Sequence, residues 1–93
     1  MEHYDEFKQI RRKKAIDQLA KEYSLSDREK DVLFYVSYYG YDNVELGKHL
    51  YVSEFTIRRH LANIYKKMGV PLRKIQSIII NKLAECRREV IRE

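Results

Sequence analysis

Arg58 and Arg59 stand side by side within Ser53 to Val70, a run whose charged and polar side chains could all serve one kind of chemistry. Each guanidinium can donate two hydrogen bonds to O6 and N7 of guanine, the commonest specific contact in the DNA major groove. Helical spacing sets Phe55, Arg59, Ala62 and Lys66 along one stripe, with Arg58 and Asn63 at its flanks. Ala62 offers a methyl to thymine or allows close approach, while Asn63 and Lys66 suit neighbouring phosphates. Phe55 is either a thymine-methyl contact or a plug against the preceding turn. Adjacent arginines also occur on ordinary solvated helices, so the reading depends on what positions them.

The positioning is legible. Ile57, Leu61, Ile64 and Met68 recur at i, i+4, i+7 and i+11, a stripe that must be buried. Ser53 can cap the first turn, and Gly69 can take the left-handed conformation that ends a helix. Upstream, Ser26-Asp27-Arg28-Glu29 has the spacing of a capping box, Val32, Leu33 and Val36 form its helix's inner stripe, and Gly40 closes it. Asp42-Asn43-Val44-Glu45 repeats the arrangement and opens a short helix with Val44, Leu46 and Leu50. Tyr51-Val52 leaves only a short turn before Ser53, the layout of a helix-turn-helix.

Pro71 can occupy the first position of a last helix, where its missing N–H costs nothing. Leu72, Ile75, Ile79, Leu83, Cys86 and Val90 share one stripe there, flanked by Ile78 and Ile80. Residues 1 to 23 lack Gly and Pro and are rich in helix formers. Ile16, Leu19, Ala20 and Tyr23 share a face, whereas Tyr4, Phe7 and Ile10 lie on another. This segment is expected as two helical pieces or as a helix with loosely held first turns. Arg11-Arg12-Lys13-Lys14 either touches flanking phosphates or is a solvated face, the latter being more usual for so short a run. The tyrosines at 35, 38, 39, 41 and 51 fill a small core and its rim, with Tyr41 or Tyr51 also able to offer a hydroxyl to phosphate.

Composition narrows the class. Ninety-three residues suit one small domain, and a single proline with three glycines leaves long stretches that favour an all-α fold. A net charge of +5 suits a polyanionic partner. Cys86, the lone cysteine, makes neither an intramolecular disulfide nor a cysteine-based zinc site, which fits a reducing cytoplasm. No run approaches the roughly 18 apolar residues of a membrane span, and the N-terminus lacks the layout of a signal peptide. His60 borders the buried stripe and reads as a packed residue rather than a ligand. No metal cluster, nucleophile triad or phosphate-binding loop surrounds it, so neither a cofactor nor catalysis is expected.

Taken in order, these residues resemble the DNA-binding domain of the LuxR family of bacterial regulators, its small GerE-like members in particular. The resemblance runs from Leu25 to about Leu83. It is carried by Leu25-Ser26-x-Arg28-Glu29-x-x-Val32-Leu33, Gly40-x-x-Asn43-x-Glu45-Leu46, Ser53-x-x-Thr56-Ile57-Arg58-x-His60-Leu61-x-Asn63-Ile64-x-x-Lys67-Met68-Gly69-Val70, and Arg73. It implies a four-helix domain whose third helix enters the major groove and whose fourth forms a two-fold dimer. It assigns groove positions to Arg58, Arg59 and Ala62 and phosphate contacts to Asn43, Thr56 and Lys67. Gly47 departs from the family's usual alanine, which would remove a methyl from the contact between two helices and lower helix propensity. Arg59 replaces a position often smaller or neutral, so a known half-site does not carry over.

The expected architecture is therefore a GerE-type helix-turn-helix domain at 24–93 preceded by an N-terminal helical extension at 1–23. The last helix, roughly 33 Å long at 1.5 Å per residue, carries more apolar surface than a four-helix domain of this size can cover. The cover is a two-fold partner, the N-terminal helix, or both. Dimerisation is assigned to Leu72, Ile75, Ile78, Ile79 and Leu83, with Ile79 at the two-fold contact and the N-terminal helix on the distal half of the last one, in the same subunit or across the dimer. The expected function is transcription regulation by a nucleoid-associated homodimer on double-stranded DNA with a pseudo-palindromic site. The alternative is a protein-interaction module that uses the same fold to grip another regulator or RNA polymerase.

Overall fold

The computed structural model describes the backbone of residues 2–92 and the side chains of residues 7–85. Five helices follow one another: α1 (Glu2–Tyr23), α2 (Asp27–Tyr39), α3 (Asn43–Leu50), α4 (Glu54–Met68) and α5 (Leu72–Arg92). Among the described residues there is no strand. Local chemistry explains the boundaries. Ser26 and Asp42 both complete reciprocal capping boxes with Glu29 and Glu45, and Ser53 Oγ accepts the N–H of Thr56 at 3.1 Å. Gly40 and Gly69 end α2 and α4 with φ of 70° and 71°. Pro71 sits just outside α5 rather than at its first position, its carbonyl accepting the N–H of Ile75 at 3.0 Å.

α1 is one continuous helix, not two pieces. Its C-terminal half buries Ala15, Ile16, Leu19 and Ala20 against α2 and α5. Lys82 of α5 donates to Glu22 at 2.6 Å, and Lys30 of α2 pairs with Asp17 at 3.3 Å, tying the helix down on both sides. The N-terminal half rests on the tyrosines that close α2. Gln9 donates to the Tyr39 hydroxyl at 2.8 Å, while the Arg12 guanidinium lies 5.8 Å from the Tyr38 ring centre. These rings stack further on Tyr41 and His49.

The core joins all five helices through Leu19, Leu33, Leu46, Ile57, Ile64, Ile75 and Ile79, each fully buried. Burial of one such side chain is worth about 1.5–3 kcal/mol, which accounts for the persistence of so small a fold. α1 of the same chain packs on α5 and covers part of its apolar face. Ile75 and Ile79 are 0% exposed, so the expectation that they lie at a two-fold contact is corrected: they belong to the subunit's own core. Cys86 and Val90 lie outside the residues whose side chains are described.

Candidate nucleic-acid interface

α3 and α4 meet through the turn Tyr51-Val52-Ser53, and the closeness of that turn sets the attitude of α4. Tyr51 ends α3 in the left-handed region at φ 57°, and the N–H of Val52 donates to the Gly47 carbonyl at 3.0 Å. A Cβ on Gly47 would stand 2.7 Å from the Val52 carbonyl oxygen. The glycine is therefore not simply a lost methyl: its bare Cα admits the turn closer to α3 than a side chain would permit.

Ile57, Ile64 and Met68 anchor α4 from inside, with Leu61 only half-buried beside Val36 and Tyr41. The outer side presents Phe55, 68% exposed, then Arg59, Ala62 and Lys66, with Arg58 and Asn63 also exposed. From Phe55 to Lys66 the stripe runs roughly 16 Å along the axis, a length that fits along a stretch of major groove. Phe55 does not plug the preceding turn, since most of its surface is open. Arg58 donates to Glu54 at 2.9 Å on this exposed surface, a pair that any base contact by Arg58 must open. Arg59 points outward from the centre of the stripe. Thr56 is half-buried with its hydroxyl 3.0 Å from Ser53 Oγ, and Asn43 is half-buried at the first turn of α3.

Lys67 has a different occupation from the phosphate contact assigned to it. Its ammonium donates to Glu29 Oε1 at 2.7 Å and to the Ser24 carbonyl at 3.1 Å. Glu29 is the one buried charged residue described, its side chain 4% exposed, and the same Oε1 accepts the Ser26 N–H at 2.9 Å. Burial pushes the Glu29 carboxyl up; hydrogen bonds from Lys67 and Ser26 and the charge of Lys67 outweigh it and hold the group below its ordinary value. Lys67 thereby clamps the end of α4 to the α1–α2 corner, where Ser24 takes a positive φ of 58°. Sequence reasoning found the lysine but not this partner, which is 38 residues away.

The profile of the family described as bacterial regulatory proteins, luxR family, matches residues 23–79, which takes in α2, α3, α4 and the start of α5. The chain belongs to the luxR family of bacterial regulatory proteins. Two relatives agree in kind. LnrK of Bacillus subtilis, named as a transcriptional regulatory protein, is 35% identical over 69 residues, 71% of this chain and 31% of LnrK. Rv0890c of Mycobacterium tuberculosis, named for an HTH-type transcriptional regulator, is 42% identical over 50 residues, 54% of this chain and 6% of the relative. The chain thus spans under a third of the length of either. No solved structure matches it. Membership in the luxR family and the names of these relatives support DNA-binding transcription regulation, and no helix among the described residues is long and apolar enough to cross a membrane. α1 up to Glu22 and all of α5 beyond Ile79 lie outside the match.

Proposed function

We propose that this luxR-family chain regulates transcription by binding a pseudo-palindromic duplex as a homodimer, with one α4 in the major groove of each half-site. The observation that carries this reading is the outer stripe of α4, where Phe55, Arg59, Ala62 and Lys66 are exposed on a helix held rigidly from behind by Ile57 and Ile64. Arg58 and Arg59 read base edges, Ala62 and Phe55 make apolar contacts to bases, and Asn43, Thr56, Asn63 and Lys66 position the backbone. Lys67 leaves the phosphate set because Glu29 and Ser24 hold its ammonium. The two-fold surface then falls on the α5 side chains the subunit does not bury: Leu72, Ile78 and Leu83, half-buried, and Ile80, 60% exposed.

Selection from a random duplex pool, followed by titration of the selected site over a salt series, tests the proposal. A two-fold symmetric consensus, and affinity that falls steeply with salt, is the expected result. An interaction module that grips another regulator or RNA polymerase would select no duplex and show no salt-sensitive binding.

A further inference from the structure

The side of α1 that faces away from the core carries a pattern the fold does not use. Phe7 and Ile10 are 57% and 63% exposed there, one turn apart, opposite the buried face of Ile16 and Leu19. Lys14 and Lys21 continue the same outward side, and the Arg11 guanidinium lies 5.6 Å from the Phe7 ring centre at its edge. Residues 8–21 contain Lys8, Arg11, Arg12, Lys13, Lys14 and Lys21 against Asp17, which is itself paired with Lys30. Among the described residues neither Lys14 nor Lys21 has an acidic partner. α1 packs on α2 and α5, whereas α4 packs on α2 and α3, so α2 lies between this face and the α4 stripe.

We propose that the outward face of α1, from Phe7 to Lys21, is a docking site for an acidic amphipathic helix of another protein. Apolar side chains of that helix would cover Phe7 and Ile10, and its carboxylates would lie along Arg11, Lys14 and Lys21. The face is about 21 Å long at 1.5 Å per residue, four turns, the scale on which helices are recognised by anchors at i, i+3 and i+7. Charge decides against a second copy of α1, because two such faces would set like charges against one another. A duplex would use the cations but gain nothing from two exposed apolar side chains. A membrane surface calls for a wider apolar face than one phenylalanine and one isoleucine. The inference does not rest on the DNA reading, since the ligand measured is a peptide and a duplex enters only as a competitor.

The probe is a labelled peptide of about 18 residues made of Glu and Leu, with the leucines at i, i+3, i+4 and i+7, compared with a shuffled peptide of the same composition. Fluorescence anisotropy with the full chain, at about 0.15 M salt, is expected to show the striped peptide binding about tenfold more tightly than the shuffled one. Phe7→Ser with Ile10→Ser, and separately Lys14→Gln with Lys21→Gln, should each weaken it about tenfold while circular dichroism remains that of the parent. Binding should persist when a mixed-sequence duplex is present in excess. Equal binding of striped and shuffled peptides would overturn the proposal, leaving only charge. So would displacement by the duplex, a preference for vesicles of anionic lipid over the peptide, or insensitivity to either pair of substitutions.

Discussion

Replacing Lys67 by methionine keeps the aliphatic stem and removes the ammonium, which leaves Glu29 with the Ser26 N–H as its partner on Oε1. Removing one partner of a buried pair costs about 3–5 kcal/mol when the remaining charge stays dry. Here the Lys67 side chain is 37% exposed, so water reaches the gap, and the Ser26 bond survives. We therefore expect a loss of about 1–3 kcal/mol, or roughly 5–20 °C in Tm for a domain of this length. The pH dependence carries a sign. Glu29 titrates below its ordinary value in the folded protein, so its contribution is fully present above about pH 4.5 and is lost as pH falls through the folded value. Without Lys67 the burial effect is no longer outweighed in the same measure, and Lys67→Met should lose less stability than the parent over that acid interval. Melts of Lys67→Met, Glu29→Gln and the double variant form a cycle whose coupling should be about 1–2 kcal/mol. If Lys67→Met melts with the parent, or the two effects simply add, the clamp is refuted. A salt slope of DNA binding reduced by about one would then return Lys67 to the phosphates.

Arg58→Ala and Arg59→Ala should each cost about 1–3 kcal/mol on the selected duplex and relax preference at one base pair; uniform weakening on all duplexes in anisotropy titrations would demote them to backbone contacts. Gly47→Ala brings a methyl to 2.7 Å from a carbonyl oxygen, and the overpacking should exceed the gain in helix propensity, giving a net loss of about 1–2 kcal/mol in denaturant melts. Ile79→Glu should unfold the chain because the site is fully buried, whereas Ile80→Glu should stay folded and sediment as a monomer. Deleting residues 1–23 removes the buried side chains of Ile16 and Leu19 and exposes the surfaces of α2 and α5 beneath them, and should lower the Tm by roughly 20 °C or more in circular dichroism.

Helix starts and stops were readable because their causes are local. Ser26 with Glu29, Asp42 with Glu45, and the glycines at 40 and 69 act within one turn of where they stand. The outer stripe of α4 followed from periodicity alone. What periodicity does not contain is the identity of the covering surface: it marks Ile79 for burial but leaves open whether a two-fold partner or the chain's own core covers it, and the fold places it in that core. Lys67 shows the same limit in electrostatic form. Its place in a basic helix fits a phosphate contact equally well, and only the folded path brings Glu29 within 2.7 Å. Gly47 is a third case, since the approach of the Val52 carbonyl is a tertiary distance that composition and propensity do not encode. Leu61 shares the stripe of Ile57 and Ile64 yet remains half-buried, because the space beside it, lined by Val36, Tyr41 and Tyr65, is an open groove.

Because α1 packs on α5 within the same chain, one chain is expected to reach its folded state by a first-order process. Below the concentration at which two copies associate, the Tm of such a chain should not move with protein concentration, in contrast to an obligate dimer, whose folding and association are one equilibrium. On the proposed reading, contact between two copies through the outer side chains of α5 would be a separate mass-action step. It can be set by abundance or by alignment on a nucleic-acid lattice without putting the integrity of either subunit at risk. A dilute chain is then still an intact chain, ready to assemble.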